Sequence, residues 1–314
     1  MAAAALVVLA FAASARASTD DRLLAKHRPI LVFHPGEEFR PTSVERFVRD
    51  STLEVATSPT TWTVVDPAPT ADTLPTASPP VWRLNQRNCS PSAPLGGLAC
   101  YVAAASDARD ALVYGRVARE GRKTVLQYWL FYYANVYRYP FAPLGALWQA
   151  HEGDWEVVNV VLGPGERPVA VALSQHCSGE VRRWNAAPRR GRHAVVRVAL
   201  GSHANYFDAG LHEIQQACVP PEVLAFFARA QLPLPADVAA STTVKEARQL
   251  GQDFEVREIG DGPPPWVAFP GFWGELEYFH APPPIGTVPF GPAPLGPAFH
   301  RVWDAPLATI AGWQ

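Results

Sequence analysis

Residues 154–174 read DWEVVNVVLGPGERPVAVALS. Asp154 to Leu162 is β-branched and apolar, as a buried strand requires. Gly163-Pro164-Gly165 breaks it, and Pro168 to Ser174 (PVAVALS) returns, which is the pattern of a hairpin. Similar short strands lie on both sides. Pro29 to His34 (PILVFH) is one. Asp110 to Arg116 and Thr124 to Tyr133 pair around the Glu120-Gly121 turn, and Ala194 to Leu200 (AVVRVAL) is another. Ser43 to Asp50 reads as a short helix with Ser43 as its N-cap. Pro221 to Ala230 and Ala236 to Leu250 read as helices, and residues 51–100 carry little periodicity.

Strands that follow one another without intervening helices point to a mainly β fold. The expected architecture is one antiparallel β-sandwich of jelly-roll type over residues 18–314, with a few peripheral helices. The 32 prolines agree, because proline belongs in loops, turns and edges rather than in element interiors. A formal net charge of −2 without a long basic run excludes a nucleic-acid footprint. Beyond the N-terminus no apolar stretch is long enough to span a bilayer.

The N-terminus itself reads as a leader. Residues 2–13 are almost all Ala, Leu, Val and Phe, and Ala15-Arg16-Ala17 precedes a polar run. The chain is therefore expected to be secreted or otherwise extracytoplasmic, with a signal peptide over 1–17. The four cysteines fit that compartment. Cys89 and Cys100 share one Pro/Gly/Ser-rich loop and are local partners, which leaves Cys177 for Cys218.

The sharpest chemical feature is His151-Glu152-Gly153-Asp154-Trp155-Glu156. Side chains alternate along a strand, so Asp154 and Glu156 share the face that Val158, Val160 and Leu162 continue. Two carboxylates at the start of a core face are costly unless paired or bound to a cation. Gly153 permits a turn that brings His151 to the same point, giving an N,O,O set suited to Mg²⁺, Mn²⁺ or Ca²⁺ in preference to Zn²⁺. The alternative is a carboxylate pair bridged to arginine at a sheet end. His176 and His203 each follow an apolar strand, where sandwich loops gather, and are candidate ligand-binding residues. His27, His193, His280 and His300 have no such setting and read as structural.

Common catalytic patterns are missing. Trp155 stands where H-E-x-x-H needs its second histidine, and no G-x-S-x-G elbow, phosphate loop or G-x-G-x-x-G follows a strand. Ser202 beside His203 is the nearest nucleophile pair, but neighbours on extended chain point apart. Two classes remain: a binding module that holds a polar ligand through a cation, or a metal-dependent hydrolase with a cation-bound water and Glu156 or a histidine as base.

Six segments carry a family resemblance: PILVFHPGEEFRPTSVERFV (29–48), LQYWLFYYAN (126–135), HEGDWE (151–156), SQH (174–176), ALGSHANYF (199–207) and WVAFPGFWGE (266–275). In this order they resemble the Vps62-like family, which implies no settled activity. H-x-x-D-W-E is also similar to the H-R-H-D-W-E signature of the necrosis-inducing, cytolysin-like proteins. That likeness implies a β-sandwich, a divalent cation held by His151, Asp154 and Glu156, and a lipid head group or glycan as the partner. An upstream aspartate of that family falls near Asn135, which keeps a carbonyl oxygen without the charge, and Gly153 replaces the second histidine of the signature. The mature protein is expected to begin at Ser18; N-terminal sequencing that finds Met1 or Ala2 would refute the leader.

Overall fold

A computed structural model describes residues 19–93, 99–106, 111–141, 145–219, 221–229, 231, 234, 236–239, 248–251, 254–260, 262–280 and 286–313. The expected leader, 1–17, lies outside these. The fold is mainly β, built of several sheets with a few short helices, as expected of a sandwich. Most strand pairs are antiparallel. Among the described residues three are parallel: Ile30–Phe33 with His193–Val198, Glu255–Glu258 with Leu112–Glu120, and Phe272–Trp273 with Trp82–Gln86.

The largest sheet positions the site. Its centre is the pair Lys123–Phe141 (the aromatic strand) and Gly145–Gly163 (the site strand), antiparallel from Thr124↔Leu162 to Phe141↔Gly145. Leu112–Glu120 lies on the free edge of the aromatic strand, joined to it by the expected turn at Glu120↔Lys123. The far edge of the site strand is shared by two hairpins. Arg167–Gln175 with Ser178–Arg183 covers Val158 to Gly163, and Leu276–His280 with Thr287–Pro292 covers Trp148 to Ala150. Between them, His151 to Val157 have no strand partner on that edge among the described residues, and the sheet has a notch there.

Both faces of the site strand are buried from Glu152 to Leu162, so it reads as a continuous apolar run rather than an alternation. One face carries Trp155, which stacks on Trp266 (5.7 Å, 11°) and meets Phe131 at 4.7 Å and Trp273 at 5.3 Å. Offset and edge-on aromatic contacts of this kind favour the packed state beyond their area. Side chains of all the larger sheets, among them Phe33, Leu84, Leu130, Val158 and Val196, belong to one buried cluster. The Val44–Asp50 helix starts as its sequence implies, with the Ser43 hydroxyl accepting from Arg46 N at 3.3 Å. Both expected disulfides, Cys89–Cys100 and Cys177–Cys218, are formed. Among the described residues no helix is long and apolar enough to cross a membrane.

Two sequence expectations are corrected. Ala236–Ala239 is a strand paired with Gly210–Glu213, and Arg248–Gly251 is a strand paired with Ile30–Phe33, so 236–250 is not one helix. Alanine-rich composition favoured helix, and tertiary pairing overrode it. The stretch 51–100 is not irregular: Ser51–Ser58, Thr61–Asp66 and Trp82–Gln86 form most of a four-stranded sheet. Thr61–Asp66 is its edge and mostly exposed, so it lacks the apolar alternation that marks a half-buried strand.

Gly153 is where backbone geometry dictates residue type. Its φ is +54°, and an added Cβ would lie 2.5 Å from the Trp273 carbonyl oxygen. Gly153→Ala combines left-handed strain with a backbone clash, so it is expected to destabilise by more than about 1 kcal/mol. An unchanged urea midpoint would show that Trp273 does not approach so closely.

Candidate functional site

The notch holds a cavity of about 360 Å3 lined by Asn135, His151, Asp154, Glu156, His176 and Glu277, among others. Five of the six residues singled out from sequence thus face one space. The sixth, His203, lies behind Asp154 and is fully buried. Asp154 and Glu156 project from the same face of the site strand, as period-2 alternation requires.

No arginine bridges the two carboxylates among the described residues; histidine takes that place. His203 Nδ1 donates to Asp154 Oδ2 at 2.9 Å, and its Nε2 lies 3.5 Å from Glu37 Oε1. Its ring stacks on Tyr132 at 3.9 Å and 5°. Burial disfavours the imidazolium, but the nearby Glu37 carboxylate and the hydrogen bond to Asp154 outweigh it and carry the pKa to about 9. Glu37 itself resists the cost of burial because His203 and two backbone N–H groups, Phe39 at 2.8 Å and Gly201 at 2.6 Å, hold its carboxyl below the usual value. His203 is therefore a charged strut between carboxylates.

His176 repeats the pattern at the cavity wall. Its Nε2 meets Asp237 Oδ2 at 2.7 Å, and Asp237 also accepts from Tyr206 OH at 2.6 Å and from the Ser202 hydroxyl. Burial again opposes protonation, and Asp237 overcomes it, raising His176 to about 9. About a quarter of the side chain stays exposed (26%). The Ser202 hydroxyl is committed to Asp237, not to His203, so no serine–histidine pair forms. His176 and His203 both adopt positive φ (54° and 58°), a region histidine enters more readily than most residues.

Glu156 and His151 complete the set. Glu156 Oε2 accepts from the Ser174 hydroxyl and from Asn205 Nδ2 at 3.4 Å. Burial, then the neighbouring Asp154 charge, raises its pKa to about 8. His151 Nδ1 donates to the Gly153 carbonyl at 2.7 Å, which leaves Nε2 with its lone pair. Asn135 Nδ2 donates to the Ser202 carbonyl at 3.4 Å, while its Oδ1 is buried without a partner. Among the described residues no three His, Cys, Asp or Glu side chains are grouped closely enough to hold a metal ion.

Sequence reasoning missed Glu37, Asp237 and His300. Glu37 and Asp237 come from distant segments, and Asp237 lay in a stretch read as helix. His300, read as structural, lines the cavity. The Pro-Gly turn before Glu37 was the one available signal.

The raised pKa values set a direction for stability. A carboxyl whose folded pKa exceeds its unfolded value holds a proton only in the folded state between the two. The contribution of Glu156 is therefore complete below about pH 4.5 and is lost as pH rises through about 8. That of His203 is complete below about 6.5 and is lost through about 9. Tm is expected to fall by at least about 3 °C from pH 5 to pH 9, with a shallower fall in Glu156→Gln, whose side chain stays neutral. Parallel pH profiles for the two proteins would show that Glu156 titrates normally.

No family model matches the chain, the Vps62-like one included, and no curated protein sequence does. Solved structures of necrosis- and ethylene-inducing, toxin-fold proteins are similar to it at low identity. "NLPPya in complex with mannosamine" matches at 14% identity and a TM-score of 0.36, over 76% of this chain and 72% of that one. "NLPPya in complex with glucosamine" matches over the same shares at 15% and 0.36. Necrosis and Ethylene inducing Protein 2, from the agent of cocoa's Witches Broom disease, matches at 17% and 0.31, over 59% and 67%.

Proposed function

We propose that this is a binding protein whose notch takes a divalent cation at Asp154 and Glu156, and through it a hydroxylated, sugar-like ligand. The observation that carries the reading is the buried carboxylate pair itself. Burial, and then the Asp154 charge beside it, raises the Glu156 carboxyl to about 8, so it favours its protonated form near neutral pH. A cation can replace that proton and satisfy both groups at once. The other donors suit an oxygen-preferring ion: Asn135 Oδ1 lacks a partner, and the His151 Nε2 lone pair is free. Since these side chains are not gathered to metal distance, binding must draw His151 toward the carboxylates. A bound cation would supply open coordination positions for ligand hydroxyls. The residues around it orient and exclude: His203 and Glu37 hold Asp154 from behind, and Ser174 and Asn205 fix Glu156.

Replacing a proton by a cation makes affinity rise with pH toward the Glu156 pKa. Calorimetric titration with Mg²⁺, Mn²⁺ and Ca²⁺ at pH 6.5, in two buffers of different ionisation enthalpy, should show one site and release of a proton. Asp154→Asn should weaken it by at least about tenfold. Glucosamine, mannosamine and neutral hexoses should then bind with the cation present and not in EDTA. Absence of heat with all three cations, with Tm unmoved, overturns the reading. Turnover of glycoside or phosphodiester substrates that Glu156→Gln abolishes while the cation stays bound would make the protein a hydrolase instead.

A further inference from the structure

The site strand ends at Gly163, about 23 Å along the chain from Glu156 at about 3.3 Å per residue. That end of the largest sheet is basic where the notch is acidic. Lys123 opens the aromatic strand opposite Glu120, Gly163 pairs with Arg167, and Ala170 pairs with Arg183. Cations thus stand at this end on the aromatic strand, on Arg167–Gln175 and on Ser178–Arg183. The four successive strands span three gaps, or about 14 Å. Beside them residues 182–192, RRWNAAPRRGR, carry five arginines and no carboxylate. Arg189 is spent within that segment, donating to the carbonyls of Trp184 at 2.9 Å and Asn185 at 3.1 Å. Arg122, Lys123, Arg167, Arg183 and Arg192 are exposed, and none of them has an ion-pair partner among the described residues.

The carboxylates at this end do not cancel these charges. Glu166 is held by Lys26 at 2.7 Å, Asp20 by Arg119 at 3.0 Å, and Glu120 accepts from Leu307 N at 3.2 Å. Asp21 is exposed on the helix over residues 19–27. His27, buried beneath the patch, registers its field: burial, then Lys26, then Arg192 hold its ring below the usual pKa. Unpaired exposed guanidinium groups select carboxylate, sulfate or phosphate oxygens, which they bind two at a time. Cations spread over four strands cannot converge on one small anion, but a chain of repeated anionic groups can meet them in turn. A bilayer would be gripped by exposed aromatic side chains among the cations, whereas here Trp184 is half-buried beside Arg189. We propose that this end of the sandwich binds a linear anionic polysaccharide, laid across the strand ends so that its successive acid groups meet Lys123, Arg167, Arg183 and Arg192. The surface does not rest on the cation reading of the notch.

The test is binding of the whole protein to immobilised alginate and heparin in EDTA, with neutral dextran, phosphatidylserine vesicles and duplex DNA as comparisons. Both acidic polysaccharides are expected to bind, at least about tenfold more tightly than dextran, the vesicles or the DNA. Affinity should fall at least about tenfold between about 0.05 M and about 0.5 M NaCl, because exposed charges are screened. The double variant Arg167→Glu/Arg192→Glu should weaken binding at least about tenfold, and so should Lys123→Gln/Arg183→Gln. All four side chains are exposed, so Tm should move by less than about 2 °C. Asp154→Asn, which alters the notch, should bind the polysaccharides like the wild type. The proposal is overturned if neither polysaccharide binds better than dextran, or if both double variants bind like the wild type. It is equally overturned if vesicles or DNA bind as tightly, since the partner is then a membrane or any polyanion, or if Asp154→Asn abolishes binding.

Discussion

The constraint on which the site depends is the unpaired edge of the site strand from His151 to Val157. A strand in the middle of a sheet normally has neighbours on both edges, and an uncovered edge leaves backbone groups that need partners. Here the two hairpins on that edge stop short of each other, at Val158 and at Ala150. Side chains take over part of the pairing. Ser174 Oγ accepts from Val157 N at 2.8 Å, and His151 Nδ1 donates to the Gly153 carbonyl. A continuous ladder would have closed the space, so the cavity exists because the hairpins stop where they do.

Charge follows from that opening. Asp154, Glu156, Glu37 and Asp237 are all buried, and the described cations among them are the imidazoles of His203 and His176. Each histidine is raised by a carboxylate behind it, so the back of the cluster is balanced. Glu156 faces the cavity with hydrogen-bond donors but no full counter-charge of its own, and burial with the Asp154 charge pushes its carboxyl up to about 8, as burial does for Glu152 beside Tyr101. In a medium of low polarity such a group keeps a proton or takes a cation.

Much of this was legible in the sequence where the signal was local. DWEVVNVVL announced a buried strand, the Gly-Pro-Gly break announced its hairpin, and alternation put Asp154 and Glu156 on one face. Ser43 marked its helix start. Cysteine spacing within one loop gave Cys89–Cys100, and the remainder gave Cys177–Cys218. What was not legible depended on pairing at long range. Ala236–Ala239 looks helical until Gly210–Glu213 lies beside it. Asp237 carries no mark of its role and Glu37 only the Pro-Gly turn before it, because each acquires its role only when a histidine from another strand end is folded against it. The notch itself has no sequence signature, since it is the absence of a neighbour.

A second cavity of about 490 Å3, between the site strand and the C-terminal helices, shares a wall with the first. Trp155, His176, Cys177 and His300 border both. Trp155 and Glu156 are consecutive on the strand, so alternation sends the indole to one face and the carboxylate to the other. The division must be held against the opening of the sheet, and the Cys177–Cys218 bond does so. Cys177 sits in the two-residue turn after Gln175, next to His176, and the bond ties that turn to the Gln216–Cys218 segment across 41 residues. A covalent tie limits how far the turn can swing, which keeps His176 against Asp237 and the wall in place.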